Sequence, residues 1–212
     1  MLIGGEIALS TADRLCLDNR PLELVMGASY WATDAQYRTY PNTGIKVVAK
    51  GAYNDRWFEV FLPDGRKRIY GDTPQSKATP TGPGSATHFH TWGLTEERDE
   101  FGNFMSIDWG LNTVDGSNYP YLIEYNGAKI ELLYRAADTS GMSVGPNGQA
   151  NIEQPLLLHT VRMQLGAQRI REYRIEHTDP LIEGAKRIQQ CAYDESGSSY
   201  RCLAPLSFGW VT

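Results

Sequence analysis

The chain has 212 residues, with 12 Tyr, 6 Phe and 5 Trp beside 21 Gly and 11 Pro, and a formal net charge of −5 at pH 7. That is enough chain to bury a substantial core, and all-β architectures of this size are often single domains, so one domain spanning 1–212 is expected. Acids and bases are interspersed, which leaves no basic stripe for nucleic acid and no polybasic segment for an anionic membrane, and no stretch has the apolar length of a membrane span.

The opening MLIGGEIALSTADRLCLDNR carries an acid at Glu6 and no Lys or Arg before Arg14. It therefore lacks the basic and apolar regions of a secretory signal. Residues 1–20 read as polar and irregular, and DRLCLDNRPLEL as a turn entering a strand. Strands are predicted over Leu22 to Tyr30, Gln36 to Tyr40 and Ile45 to Ala49, divided by Gly27-Ala28, Pro41-Asn42 and Gly51. Trp57 to Leu62 and Arg66 to Tyr70 form a hairpin, because Pro63-Asp64-Gly65 combines the preset φ of proline with the positive φ that glycine adopts readily. The proline-rich stretch 73–89 then interrupts the pattern and, being poor in apolar residues, is expected to be an exposed excursion.

His88 to Glu97 and Asn103 to Trp109 make the next pair around Glu100-Phe101-Gly102, and Tyr121 to Tyr125 with Lys129 to Tyr134 turn at Asn126-Gly127, a strong hairpin signal. After a second irregular excursion, 137–154, come Leu156 to Gln164, Arg169 to His177, Ala185 to Ala192 and Ser199 to Trp210. No segment keeps a 3.6-residue apolar period long enough for an ordinary helix. The predicted fold is all-β: about a dozen strands in consecutive antiparallel hairpins, forming a large twisted sheet, a sandwich or a partial shell.

Three cysteines leave at least one unpaired. Cys191 and Cys202 flank a hairpin loop and can bridge only if they face each other across it; isolated cysteines are usually small buried hydrophobes, so free thiols are expected, Cys16 included.

Chemistry-bearing residues are few. His88 and His90, two apart on a strand, present both imidazoles to one side, as a metal site could. Nothing in the local sequence brings a third ligand from His159, His177, Asp99 or Glu97, so no metal and no cofactor are expected. The cluster Glu96, Glu97, Asp99, Glu100 could supply a carboxylate pair for glycoside hydrolysis, but it adjoins a turn where solvated acids are ordinary. Asp99 with Asn103 reads as turn chemistry. There is no G-x-S-x-G elbow, no phosphate-binding glycine loop and no cysteine with an identifiable histidine partner. Asp179-Pro180 reads as a turn. Tyr119, Tyr121, Ile123 and Tyr125 share a strand face, and Trp57, Trp92, Trp109 and Trp210 fall at strand ends; such rows more often fill a sheet interior than stack on sugars.

Taken together, DRLCLDNRPLEL, WFEVFLPDGRKRIYG, WGLTEERDEFGN, YLIEYNG, IREYRIEH and RIQQCAYD…CLAPLSFGW resemble, in order, the SpvB-type region at the N-terminal side of insecticidal toxin complex (Tc) B components and related Rhs/YD-repeat proteins. The resemblance runs from Asp13 to Trp210. It departs from the family at Ser106-Ile107-Asp108-Trp109, where relatives tend to carry a Tyr-x-Tyr pair, and at His177, where a tyrosine is common. It implies a non-catalytic β-module, a fragment of a larger protein, contributing to the shell around a toxic cargo, because the family's catalytic parts lie elsewhere. It also implies other domains or subunits of a toxin complex as partners, self-association through exposed sheet edges, and action outside the producing cell after synthesis in the cytoplasm. The alternative is a carbohydrate- or cell-surface-binding module using the aromatic strand faces.

Overall fold

The computed structural model describes residues 1–4, 12–79, 89–111, 117–136, 156–177, 185–197 and 199–209. Among them there is no α-helix, and each strand pairs antiparallel with its neighbours. The strands in chain order are β1 Leu2–Gly4, β2 Arg14–Leu17, β3 Arg20–Met26, β4 Gln36–Thr39, β5 Lys46–Lys50 and β6 Trp57–Phe61. There follow β7 Lys67–Tyr70, β8 Lys77–Ala78, β9 Thr91–Trp92, β10 Leu94–Arg98, β11 Phe104–Leu111 and β12 Asn118–Tyr125. The last are β13 Ala128–Ala136, β14 Leu156–Leu165, β15 Gln168–His177, β16 Ala185–Tyr193, β17 Tyr200–Cys202 and β18 Leu206–Ser207. The chain divides into two compact units, with the boundary inside β12 between Pro120 and Tyr121.

In the first unit consecutive pairing runs from β2 through β7, β10 joins β7 and β11 joins β10, while β1 lies between β2 and β9. The two-residue alternation of strands turns one side of each toward a common interior. Leu15 and Leu17 from β2, Val47 and Ala49 from β5, and Phe58 and Val60 from β6 are almost fully buried there. Tyr37 and Trp92 complete it, the Trp92 ring standing edge-on to Phe58 at 5.2 Å. The interior also holds Arg56, whose guanidinium donates to Trp31 O at 2.5 Å and Ala32 O at 3.3 Å.

The turn chemistry follows the sequence. Gly65, Gly102 and Gly127 all have positive φ, at 86°, 88° and 78°. Asn126 joins Gly127 with φ 48°, so both central residues are left-handed, as a two-residue hairpin loop requires. The same geometry recurs at Asp18 and Asn19, φ 49° and 60°, and joins β2 to β3. That hairpin corrects the expectation of irregular structure before residue 20: without a glycine the turn signal is weak, and Asp and Asn tolerate the left-handed region through their own side-chain bonds.

β3 ends at Met26 rather than Tyr30, and Tyr30 has another use. Leu15 N–H donates to the Tyr30 hydroxyl, which donates to Leu22 O, both at 2.9 Å. The hydroxyl thus stands between β2 and β3 where they part. The stretch 73–89 is also corrected at its start. Pro74–Ser76 forms a single 3-10 turn closed by reciprocal Thr73 and Ser76 bonds, and Ser76, Lys77 and Ala78 are buried. Lys77 lies over the Phe89 ring and pairs with Asp55 at 2.5 Å, so a charged residue packs where its composition suggested exposure. Residues 80–88, and the whole excursion 137–154, lie outside the described residues.

The second unit is a sheet in the order β12–β13–β14–β15–β16, with β17 and β18 both paired to the far edge of β16. Its buried residues among those described are Thr160, Glu172 and Cys191. The apolar core of the first unit therefore has no counterpart here among the described residues. Phe58→Ala should accordingly cost about 3–5 kcal/mol in urea unfolding of the first unit, the usual range for a buried Phe; a loss below about 1 kcal/mol would show that this position is not packed.

Candidate functional site

Three of the four carboxylates of the Glu96–Glu100 cluster, those of Glu96, Glu97 and Asp99, are committed to structure. β10 pairs with β7 so that Glu97 stands opposite Arg68, and its carboxylate accepts from Arg66 Nη1 and Arg68 Nε, both at 2.5 Å. Burial pushes the Glu97 carboxyl up, but the bonds from Arg68 and Arg66 outweigh it and hold it below the usual carboxylate range. A glycosidase acid needs the opposite shift, since it must keep its proton near neutrality. Asp99 accepts from Phe101 N–H and Asn103 N–H, each at 2.9 Å, and from Asn103 Nδ2 at 2.7 Å, which is the expected turn chemistry. Glu96 pairs with Arg98 at 3.0 Å, and Glu100 lies at the exposed turn.

The histidines are scattered in their surroundings. His90 is buried, which pushes its imidazole below the ordinary histidine range, and His88 lies outside the described residues. His159 Nδ1 is bonded to Thr160 Oγ1 at 2.8 Å. No group of three His, Cys, Asp or Glu gathers among the described residues. Asp179-Pro180 and Trp210 also fall outside them.

The aromatic rows serve mainly as packing. Trp92 is buried, Trp109 lies within β11 rather than at a strand end and donates its indole N–H to Leu94 O at 2.8 Å, and the Tyr119 ring lies against Gly110. Tyr121 and Tyr125 are the exposed members, at 44% and 52%.

The free-thiol expectation is overturned. Pairing of β16 with β17 sets Cys191 opposite Cys202, and the two form a disulfide. The loop residues between them place the two side chains on one side of adjacent strands, which spacing alone could not decide. Closing so short a loop contributes about 3 kcal/mol relative to the reduced chain. Cys16 remains a free thiol, raised by burial.

The disulfide ends a row that crosses six strands. Leu122, Glu131, Arg162, Glu172, Cys191 and Cys202 stand successively opposite one another from β12 to β17. Arg162 binds Glu131 and Glu172, each at 3.0 Å; Arg174 adds a second bond to Glu172 at 2.8 Å, and the Tyr193 hydroxyl a third at 3.2 Å. Arg174 also lies over the Tyr200 ring. Burial pushes the Glu172 carboxyl up, yet the bonds from Arg174 and Arg162 prevail and hold it below the usual range. The sequence gives each of these residues as an ordinary strand polar; only register makes them a row.

The other side of the same sheet is apolar and only half-buried. Leu132, Val161 and Tyr173 form one row across it, Ile123, Ile130 and Met163 another, and none is buried. Ile175, Ile188 and Leu206 make a third, with Leu206 62% exposed.

This is the geometry of an all-β protein built from consecutive hairpins. No family model and no curated protein sequence matches the chain. Among solved structures it is similar to "Crystal Structure of TcdB2-TccC3", with TM-score 0.73 and 11% identity over 97% of this chain. The chain spans 14% of that chain's length. It is also similar to the N-terminal domain of effector protein SpvB from Salmonella typhimurium strain LT2, with TM-score 0.55 and 12% identity, covering 98% of this chain and 84% of that one. The resemblance read from the sequence is thus matched in fold over nearly the whole chain.

The pH dependence of Glu172 follows from its depressed titration. Its stabilisation is complete above the unfolded carboxyl value of about 4.3 and is lost as pH falls through the lower folded value. Glu172→Gln should destabilise the second unit by about 1–3 kcal/mol at pH 7, with the difference from wild type closing below about pH 4. Unfolding midpoints across pH 2.5 to 7 check it, roughly spanning the carboxylate range; a pH-independent difference would contradict it.

Proposed function

We propose that the chain is a non-catalytic structural β-module of a Tc/Rhs-type bacterial toxin, contributing sheet surface to a shell that encloses or delivers a toxic cargo. The observation that carries this reading is the half-buried apolar side of the second unit, where Ile130, Leu132, Val161 and Met163 stand in register with no residue there buried. An apolar surface of that kind is a contact surface in waiting for other domains or subunits. The likeness in fold to TcdB2-TccC3 supports it. Its non-catalytic character is supported by Glu97 and Asp99, whose carboxylates are held by arginines and by a turn. The module acts outside the producing cell after synthesis in the cytoplasm; the Cys191–Cys202 bond favours this, since such bonds persist in oxidising surroundings.

Tyr121 and Tyr125, exposed on the same side, favour a second reading, a carbohydrate- or cell-surface-binding module. Sedimentation velocity over a roughly hundredfold concentration range separates the two. The structural reading expects reversible self-association through the apolar side, abolished by Ile130→Glu with Met163→Glu. A monomer at every concentration, with glycan binding lost on Tyr121→Ala and Tyr125→Ala, transfers the function to the second reading.

A further inference from the structure

The covalent link in the second unit lies where its noncovalent hold is weakest. Tyr200–Gly209 are exposed apart from Cys202, which is half-buried. Their backbone meets β16 through the short strands β17 and β18, with Leu203 N–H donating to Gln190 O and Phe208 N–H to Lys186 O, each at 2.9 Å, and their noncovalent side-chain ties are confined to Gln189 Nε2 donating to Leu203 O at 3.0 Å and to Tyr200, whose ring lies beside Tyr193 and under Arg174, among the described residues. Leu203 and Leu206 are 63% and 62% exposed, so they bring little apolar burial to the attachment. The adjacent strands are held differently. β13 pairs with β14 from Ala128 to Ala136, and the Glu131–Arg162–Glu172–Arg174 ion pairs bind β13, β14 and β15 without either cysteine.

We propose that the Cys191–Cys202 disulfide is a redox latch: a dithiol reductant opens it, releasing Tyr200–Gly209 from β16 while β12–β15 stay folded. The half-buried Cys202 Sγ is the accessible point of attack, because Cys191 is fully buried. A reductant thiolate bonds to Cys202 Sγ, the Sγ–Sγ bond breaks, and its electron pair leaves on Cys191 Sγ, which takes a proton from water. The second thiolate of the reductant then displaces Cys202 as a thiolate, which is also protonated. Two electrons have passed to the protein and the reductant departs as its disulfide.

Once open, the latch holds two thiols, and closing it again needs a disulfide oxidant to take back the two electrons. The departing segment bares the edge of β16, and an unpaired strand edge is a template for another strand. Release therefore converts a covered edge into a binding edge under reducing conditions.

The test is hydrogen exchange with mass spectrometry on the folded 212-residue chain carrying Cys16→Ser, before and after dithiothreitol. Exchange in β16, β17 and β18 should rise at least about tenfold, with β13–β15 and β4–β6 unchanged, and reoxidation by glutathione disulfide should restore protection. Unchanged exchange after confirmed reduction overturns the latch. So does loss of protection across β13–β15, or a bond that dithiothreitol reaches only after the chain is unfolded in urea. Cys191→Ala with Cys202→Ala should reproduce the reduced pattern; since the Cys16→Ser arm keeps both bridged cysteines, the outcome does not depend on that double variant folding.

Discussion

Antiparallel register is the constraint on which the rest of this structure depends. The turn at Asn126-Gly127 sets Tyr125 opposite Ala128 and so Leu122 opposite Glu131, and the successive ladders set Glu131 against Arg162, Arg162 against Glu172, and Glu172 against Cys191. A slip of one residue in any of these ladders would send an entire strand's side chains to the opposite side. It would break the ion-pair row and separate the two sulfurs together. The same rule operates in the first unit, where alternation sends Val47, Ala49, Phe58 and Val60 into one interior.

The two units use that rule to different ends. The first closes its strands over aliphatic and aromatic side chains, and local bonds serve much of its buried polar chemistry, with the Tyr30 hydroxyl bridging two backbones and the Arg56 guanidinium two carbonyls. Among the described residues the second buries a carboxylate and one end of a disulfide, Cys191, rather than an apolar cluster, and leaves its apolar side half-buried. Burying Glu172 is tolerable because three donors satisfy it, and removing either arginine leaves its carboxylate poorly compensated. A sheet stabilised on its polar side keeps its apolar side available for contact.

Much of the fold was legible because hairpin signals are local. Asn-Gly and Pro-Asp-Gly carry their own backbone demands, so the turns at Gly65, Gly102 and Gly127 could be placed from three or four residues each. Three features were not. The Asp18-Asn19 hairpin lacks the glycine that marks such turns; Ser76 and Lys77 are buried by partners far along the chain; and Cys191 meets Cys202 only through register. The acid cluster shows the same division: Asp99 with Asn103 was readable as a turn, whereas Glu97 needed the β7–β10 pairing to reveal Arg68 opposite it.

If the two units are held by different physics, they open separately. Native-state hydrogen exchange across a urea series measures this directly, because amides sharing one opening event converge on a common free energy and urea dependence. The account predicts that β4, β5 and β6 exchange through one cooperative opening of the first unit, and β13, β14 and β15 through a distinct opening of lower free energy. Convergence of both sets on one opening, with one urea dependence, would contradict it.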